Sequence, residues 1–146
     1  MTRLAFCLAA VMLVAACAQQ SFTTPDDKQP ARQNVVIQFG DASVLPADAR
    51  IKAGGSVTWS NTSSYMAVVR FPKVDKTKLA CRPVLRPDWQ YAADALESIP
   101  TGAASENIVF PCSFQPGTYP YTISLFGRIS EMDNPAFTLS AKLIVE

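Results

Sequence analysis

The residues of this chain that could bind soft metals or act as nucleophiles are four cysteines and four methionines, and the chain has no histidine. Thiolates and thioethers suit Cu(I), whereas hydrolytic triads, most zinc sites and blue-copper sites need an imidazole. The sequence also has no Gly-rich phosphate loop, no G-x-S-x-G motif and no suggestive pair of carboxylates. It therefore predicts a protein that is not an enzyme.

Length and charge further limit the classes of protein to which the chain can belong. The 146 residues, 49% of them hydrophobic, fit one globular domain with appendages. Thirteen Lys and Arg nearly balance twelve Asp and Glu, for a formal charge of +1. Such a balance gives no basic footprint for nucleic acid, so we expect no nucleic-acid partner.

The N-terminus predicts export and lipidation. A short basic start is followed by Leu4–Ala16, thirteen residues without a polar side chain. A run this short fits a signal-peptide core better than a membrane-spanning helix, which needs about 20 residues. Its end, LVAA followed by Cys17, resembles the lipobox of bacterial lipoproteins. The resemblance implies cleavage after residue 16, acyl chains such as palmitate on Cys17, and an outer-membrane anchor facing the periplasm. Ordinary secretion is the alternative.

The mature chain is expected to be electrically neutral. Cleavage would remove Arg3 and leave twelve basic and twelve acidic residues. A neutral body is not drawn to anionic membranes by its net charge. We therefore expect it to depend on its lipid anchor, because two or more acyl chains hold a membrane stably.

Two cysteines remain after these assignments, because Cys7 leaves with the leader. Cys81 and Cys112 are 31 residues apart. Cysteines of an exported chain normally pair, and a loop of this length is stabilised by about 3–4 kcal/mol in the chain-entropy picture. We expect a structural disulfide. A redox or metal-binding pair is the alternative, although no C-x-x-C spacing supports it.

The mature chain has a linker and a strand-rich domain. Residues 17–33, with two prolines and mixed charges, predict the acylated cysteine and a flexible linker. From 34 to 146, alternating apolar residues between Gly and Pro turns predict an all-β sandwich of about seven strands. One short helix is predicted after Asp88, which would cap it, because four apolar residues follow at helical spacing: Trp89, Ala92, Ala93 and Leu96.

Two motifs point to a family. Ala49–Asn61 (ARIKAGGSVTWSN) and Pro116–Tyr121 (PGTYPY) stand in the same order and at similar spacing as V-T-W-x-N and P-G-T-Y-x-Y in cupredoxins, the plastocyanin- and azurin-like proteins. The chain resembles that family over roughly residues 34–146. The resemblance implies a Greek-key β-sandwich. An immunoglobulin-like sandwich with the same turns is the alternative.

The resemblance implies the fold without the family's copper chemistry. Cupredoxins bind copper through two His, one Cys and a weak axial Met. Counting along the motifs puts these His on Ala67 and Phe126 and the Cys on Ile123, so three apolar side chains stand at the ligand positions. Only Met132 falls near the axial position. We expect no cofactor, and side chains that fill the vacated pocket would avoid a cavity costing a few kcal/mol.

These inferences lead to a predicted function. We expect a non-catalytic, lipid-anchored β-sandwich of the cell envelope that acts as a binding or assembly module for another envelope protein. Its predicted contact surface is an apolar patch at the former ligand end, formed by four residues: Tyr65, Met66, Leu125 and Phe126. The alternative for the patch is that these side chains simply close that end of the fold.

A copper-binding or electron-transfer protein with a remodelled site is the alternative function. In that case Met66 and Met132 would supply thioethers to Cu(I), and Cys81 or Cys112 a thiolate if unpaired. Methionine is more often a gap-filler in protein interiors than a ligand, which favours the first function.

Overall fold

A computed structural model describes residues 31–81, 89–92, 95–104, 106–110 and 112–146. This part of the chain forms strands and two single 3-10 turns, Lys76–Lys78 and Ile129–Glu131. The eleven strands described are β1 (Arg32–Phe39), β2 (Val44–Leu45), β3 (Asp48–Asn61), β4 (Met66–Pro72), β5 (Leu79–Cys81), β6 (Trp89–Ala92), β7 (Ala95–Ser98), β8 (Asn107–Val109), β9 (Cys112–Phe114), β10 (Gly117–Phe126) and β11 (Phe137–Val145).

The strands form a mixed sheet that closes over one core. Its order is β2-β1-β3-β11-β10-β4-β7-β6, with β8 on β3, while β5 and β9 form a separate pair. β3 is parallel to β1 and to β11, and the other pairings are antiparallel. Buried side chains of β1 and β10 belong to the same hydrophobic cluster, so the two halves of the sandwich share it.

β3 passes from one half of the sandwich to the other at Lys52–Gly55. Its first arm pairs with β11 and its second with β1 and β8. Gly54 has a φ of +78°, which is left-handed and favours glycine. A Cβ on Gly55 would collide with the carbonyl oxygen of Gln33 and lie 2.9 Å from that of Lys52. Both glycines are therefore required by the bend and by the close approach of β1.

Seven aromatic rings fill the centre of the core around Trp59. Its indole is fully buried and meets four other rings at centroid distances between 5.6 and 6.1 Å, mostly edge to face. Such contacts add about 0.5–1.5 kcal/mol per pair beyond the area they bury. The rings of this cluster are Trp59, Phe71, Trp89, Phe110, Phe114, Tyr119 and Tyr121.

The predicted short helix after Asp88 is wrong. Trp89–Ala92 and Ala95–Ser98 are antiparallel strands, β6 and β7, and β7 pairs with β4. Trp89 packs edge to face on Phe110, and its Nε1 donates a hydrogen bond to the carbonyl of Val109 at 3.0 Å. Burial of the indole in the aromatic core outweighs local helix preference. Asp88 and Ala93 lie outside the described residues.

The predicted all-β class is confirmed, although seven strands were expected and eleven are described. The difference comes from β6 and β7, which stand in place of the predicted helix, from β8 and β9, which divide one predicted strand, and from β2 and β5, which are too short to show a period. β1 begins at Arg32, two residues before the predicted start of the domain. The predicted leader and most of the predicted linker fall outside the described residues. Within the described ranges, no helix is long and apolar enough to cross a membrane.

Candidate functional site

Two of the three positions assigned to lost copper ligands lie together in the core. β4 and β10 are antiparallel neighbours, with Ala67 opposite Leu125 and Val69 opposite Ile123. Because strand side chains alternate between faces, Ala67 and Ile123 point to the same side of this pair. Both are fully buried and belong to the hydrophobic cluster.

The third position, Phe126, lies on the opposite face of β10. It shares that face with Ser124 and lines a cleft of about 130 Å³ in which Met132 also lies. Phe126 is fully buried there and stands opposite Met66 in the register with β4. The structure therefore brings Phe126 and Met132 together, and Ala67 and Ile123 together, on two faces of one sheet.

Asn61 connects the loops at this end of the sandwich. Its buried amide nitrogen donates to the carbonyls of Tyr65 and Gly102, both at 2.8 Å. Its carbonyl oxygen accepts from the backbone and the hydroxyl of Ser63, at 2.9 and 2.6 Å. All hydrogen-bonding capacity of this buried side chain is satisfied, which fixes both loops. The sequence places Asn61 at the end of the V-T-W-x-N motif, and the motif alone does not predict this role in fixing the loops.

The fold was compared with known proteins. No family model matches the chain, and no curated protein matches it. An oxidized mutant of amicyanin matches with a TM-score of 0.50 and 18% identity, over 81% of this chain and 87% of that one. The domain is cupredoxin-like. Reduced auracyanin from the photosynthetic bacterium Roseiflexus castenholzii is also similar, with a TM-score of 0.46 and 16% identity over 80% of this chain and 99% of that one.

This cupredoxin-like domain does not carry the donors of a blue-copper site. Ala67, Ile123 and Phe126 have no ligating atom, and the chain has no histidine at all. Residues 123 and 126 are three apart on a continuous strand, about 10 Å along its axis and on opposite faces. Neither the donor set nor its arrangement fits copper of that type. In the described part of the chain, no three Cys, Asp or Glu residues cluster as a metal group either.

The predicted contact patch is corrected by burial. Leu125 and Phe126 are fully buried and cannot touch a partner, whereas Tyr65 and Met66 are half-buried. Phe137, 46% exposed, packs edge to face on Tyr65 at a centroid distance of 5.4 Å. Ile129, 63% exposed, lies in the loop between β10 and β11 at the same end. We call Tyr65, Met66, Ile129 and Phe137 the apolar cap.

The predicted contact patch did not include Phe137 or Ile129, although the sequence contains a signal for Phe137. The alternation of apolar residues in the last strand, which includes Leu139, Ala141, Leu143 and Val145, extends back to Phe137. A hydrophobic residue that begins such a strand next to a polar loop is a candidate for exposure. Ile129 sits in a loop without periodicity, and no comparable signal precedes it.

Two buried polar atoms of the core lack partners. The indole N–H of Trp59 and the hydroxyl of Tyr121 have no hydrogen-bond partner among the described residues, although their rings are in contact. Burial raises the pKa of Tyr121 to about 12; the indole of Trp59 acts against this rise, and the charge of Asp48 adds to it. Tyr119 is different, because its hydroxyl donates to the carbonyl of Gln115 at 2.8 Å.

This contrast predicts opposite effects of the same substitution. Tyr119→Phe loses a hydrogen bond and should lower the free energy of unfolding by about 1 kcal/mol. Tyr121→Phe removes an unpartnered buried hydroxyl and should leave that free energy unchanged or raise it by up to about 1 kcal/mol. Urea unfolding at pH 7 measures both, and a loss at Tyr121 as large as that at Tyr119 would contradict the prediction.

The raised pKa of Tyr121 also predicts a pH dependence. An unfolded tyrosine ionises near pH 10 and this one near 12, so the folded state holds its proton more tightly. The resulting stability is complete below pH 10 and is lost as the pH rises towards 12, by at most about 3 kcal/mol. Unfolding followed from pH 8 to 12 should show a shallower loss in Tyr121→Phe than in the unsubstituted protein.

Proposed function

We propose that this chain is a non-catalytic, lipid-anchored module of the bacterial cell envelope that binds or assembles another envelope protein. The observation that supports this is that a chain without histidine builds a cupredoxin-like fold, so the donors of a blue-copper site are absent from it. Ala67, Ile123 and Phe126 are each fully buried, so they contribute to packing rather than to ligand binding. The fold is retained while the residues for electron transfer are absent.

The apolar cap is the proposed contact surface. Exposed aromatic and aliphatic side chains at one end of a small domain favour protein contact, because burial of this area stabilises a complex. The loops around the cap carry four exposed carboxylates and one guanidinium: Asp41, Glu106, Glu131, Asp133 and Arg128. An acidic rim fits a partner whose own apolar surface is bordered by Lys or Arg.

A photo-crosslinking amino acid tests the cap. We expect a crosslinker at Phe137 to give one discrete adduct in intact cells, because that ring would lie in the interface. The matched control is the crosslinker at Val36, which is 57% exposed in the middle of β1. The same adduct should weaken when Ile129→Glu is added. Equal adducts at both positions, or none at Phe137, would remove the cap from the proposal.

The cysteine assignments belong to the same proposal. Cys81 and Cys112 stand directly opposite each other in the β5–β9 pair. Opposite residues of antiparallel strands have Cα atoms about 4.5–5.5 Å apart, which is the separation a disulfide needs. This register supports the pairing of the two residues, and the lipobox supports acylation of Cys17.

Serine variants of the four cysteines test both assignments. Cys17→Ser should abolish incorporation of labelled palmitate and partitioning into detergent, whereas Cys7→Ser, inside the leader, should preserve both. Cys81→Ser and Cys112→Ser should retain the acyl label, expose one reactive thiol and lose about 3 kcal/mol of stability. Acylation of the Cys17→Ser chain would refute the anchor, and two free thiols in the unsubstituted protein would refute the disulfide.

A remodelled copper site is the second candidate, and one observation favours it. Met66 is the register partner of Phe126, and Met132 lines the cleft that contains Phe126. The thioethers of these two residues are soft enough for Cu(I). They are only two donors, and Met fills gaps more often than it ligates.

Competition for Cu(I) against a coloured chelator separates the two candidates. Under our proposal, the unsubstituted protein and the double variant Met66→Leu, Met132→Leu compete equally, because neither has a site. Leucine keeps the volume and removes the sulfur, so packing is closely matched. Uptake of one equivalent that the double variant loses would instead establish the copper function.

A further inference from the structure

The charges of the described residues are segregated between the two ends of the sandwich. β10 has ten residues and is about 30 Å long, so its first and last residues mark opposite ends of the molecule. At the far end, where β10 stops at Phe126, lie the apolar cap and its mostly acidic rim. We call the opposite end, where β1 begins, the entry end.

Pairing across the sheet locates the entry end. Arg32 pairs with Ile51, Ile51 with Val145, and Val145 with Gly117. The chain that precedes β1 therefore joins the domain beside the start of β10. About 15 residues separate the predicted lipid site, Cys17, from this point. A coil of that length spans on the order of 20 Å, which would keep the entry end near the membrane.

Four exposed cations surround the entry end. Arg32 is the first residue of β1. Lys52 lies in the bend of β3, and the next residue, Ala53, donates a backbone hydrogen bond to the carbonyl of Glu146, which places the bend at this end. Lys73 and Lys78 line a groove of about 310 Å³ together with Thr118 and Pro120, near the start of β10. Among the described residues, none of Arg32, Lys52 and Lys73 forms an ion pair.

In the part of the chain that the structure describes, fewer negative than positive charges lie at the entry end. Glu146 is paired with Arg50 at 2.5 Å, which neutralises both side chains. Asp75 accepts hydrogen bonds from Thr77 and lines the groove together with Lys78. Asp75 and the terminal carboxylate are therefore the two negative groups to be set against the four cations. The Asp48–Lys142 pair, on neighbouring strands, adds no net charge. Counted over the described residues, the entry end therefore has a positive charge, although the mature chain is expected to be neutral as a whole.

We propose that the entry end rests on the anionic phospholipid headgroups of the membrane to which the chain is anchored. The inference depends on the proposed lipid anchor, which brings this end to the bilayer. Anionic lipids attract nearby Lys and Arg side chains within a Debye length of about 8 Å, so proximity and charge act together. The groove between Lys73 and Lys78 is largely apolar, with Val74, Tyr119 and Pro120 in its wall, which suits the headgroup boundary.

This contact would orient the module. With the entry end on the lipid, the apolar cap and its acidic rim would point away from the membrane. The length of β10 would separate them from the lipid surface. A partner would then meet the cap without competition from the bilayer. Under this proposal, local charge would contribute to membrane contact beside the lipid anchor, which the net charge of the mature chain does not predict.

Hydrogen exchange on the full, acylated protein in vesicles tests the contact. With phosphatidylglycerol vesicles, amides of the groove segment 73–79 and of the bend 52–55 should exchange more slowly than in phosphatidylcholine vesicles. Amides of the far-end loop 127–136 should exchange equally in both. High salt should remove the difference, because it screens the headgroup charge.

Charge variants complete the test. Each Lys near an anionic surface contributes about fivefold to binding, so Lys73→Gln should lower the protection about fivefold, and Lys73→Gln with Lys78→Gln about 25-fold. Arg128→Gln removes one exposed cation at the far end and should change nothing. Protection that is equal in both lipids, or that appears at 127–136, would overturn the proposal. Failure of the protein to float with either vesicle would instead overturn the anchor itself.

Discussion

The pairing of β10 on both of its sides is the constraint on which the rest of the structure depends. It pairs with β11 from Gly117 to Leu125 and with β4 from Thr122 to Phe126. A strand held by two ladders cannot slip by one residue without turning every side chain to the other face. The side chain of Ile123 therefore points into the core, and that of Phe126 points into the outer cleft. The register thus keeps apart two residues that would both have to contact a single copper ion.

The same strand explains why the two ends of the domain differ. Its start lies beside the chain entry and the basic groove, and its end lies beside loops that Asn61 connects through four hydrogen bonds. Rigid loops can present exposed side chains such as Phe137 at little entropic cost on binding. A domain built in this way can face two different surfaces at once, with about 30 Å of strand between them.

Much of the fold, and less of the site, could be predicted from the sequence. Apolar and polar residues alternate clearly in the long strands β1, β10 and β11, which predicts strands there. The order of the two cupredoxin-like motifs along the chain predicts the arrangement of the sandwich. The spacing of Trp89 and Leu96 misled because a hairpin buries both residues as well as a helix does. The exposure of Phe137 and the burial of Phe126 depend on which face each occupies, and a count along a motif does not contain that information.

Net charge likewise does not show which charges share an end of the domain. A net charge of zero describes the electrostatic attraction only at distances that are large compared with the molecule. Screening by salt limits electrostatic interactions to about 8 Å, which is much less than the length of β10. Under the proposed anchoring, Arg32, Lys52, Lys73 and Lys78 would lie within that range of the membrane, and the carboxylates around the cap would lie beyond it. Because the pairing of β1, β3, β11 and β10 fixes which charges share an end, topology rather than composition would determine how the domain meets a charged surface.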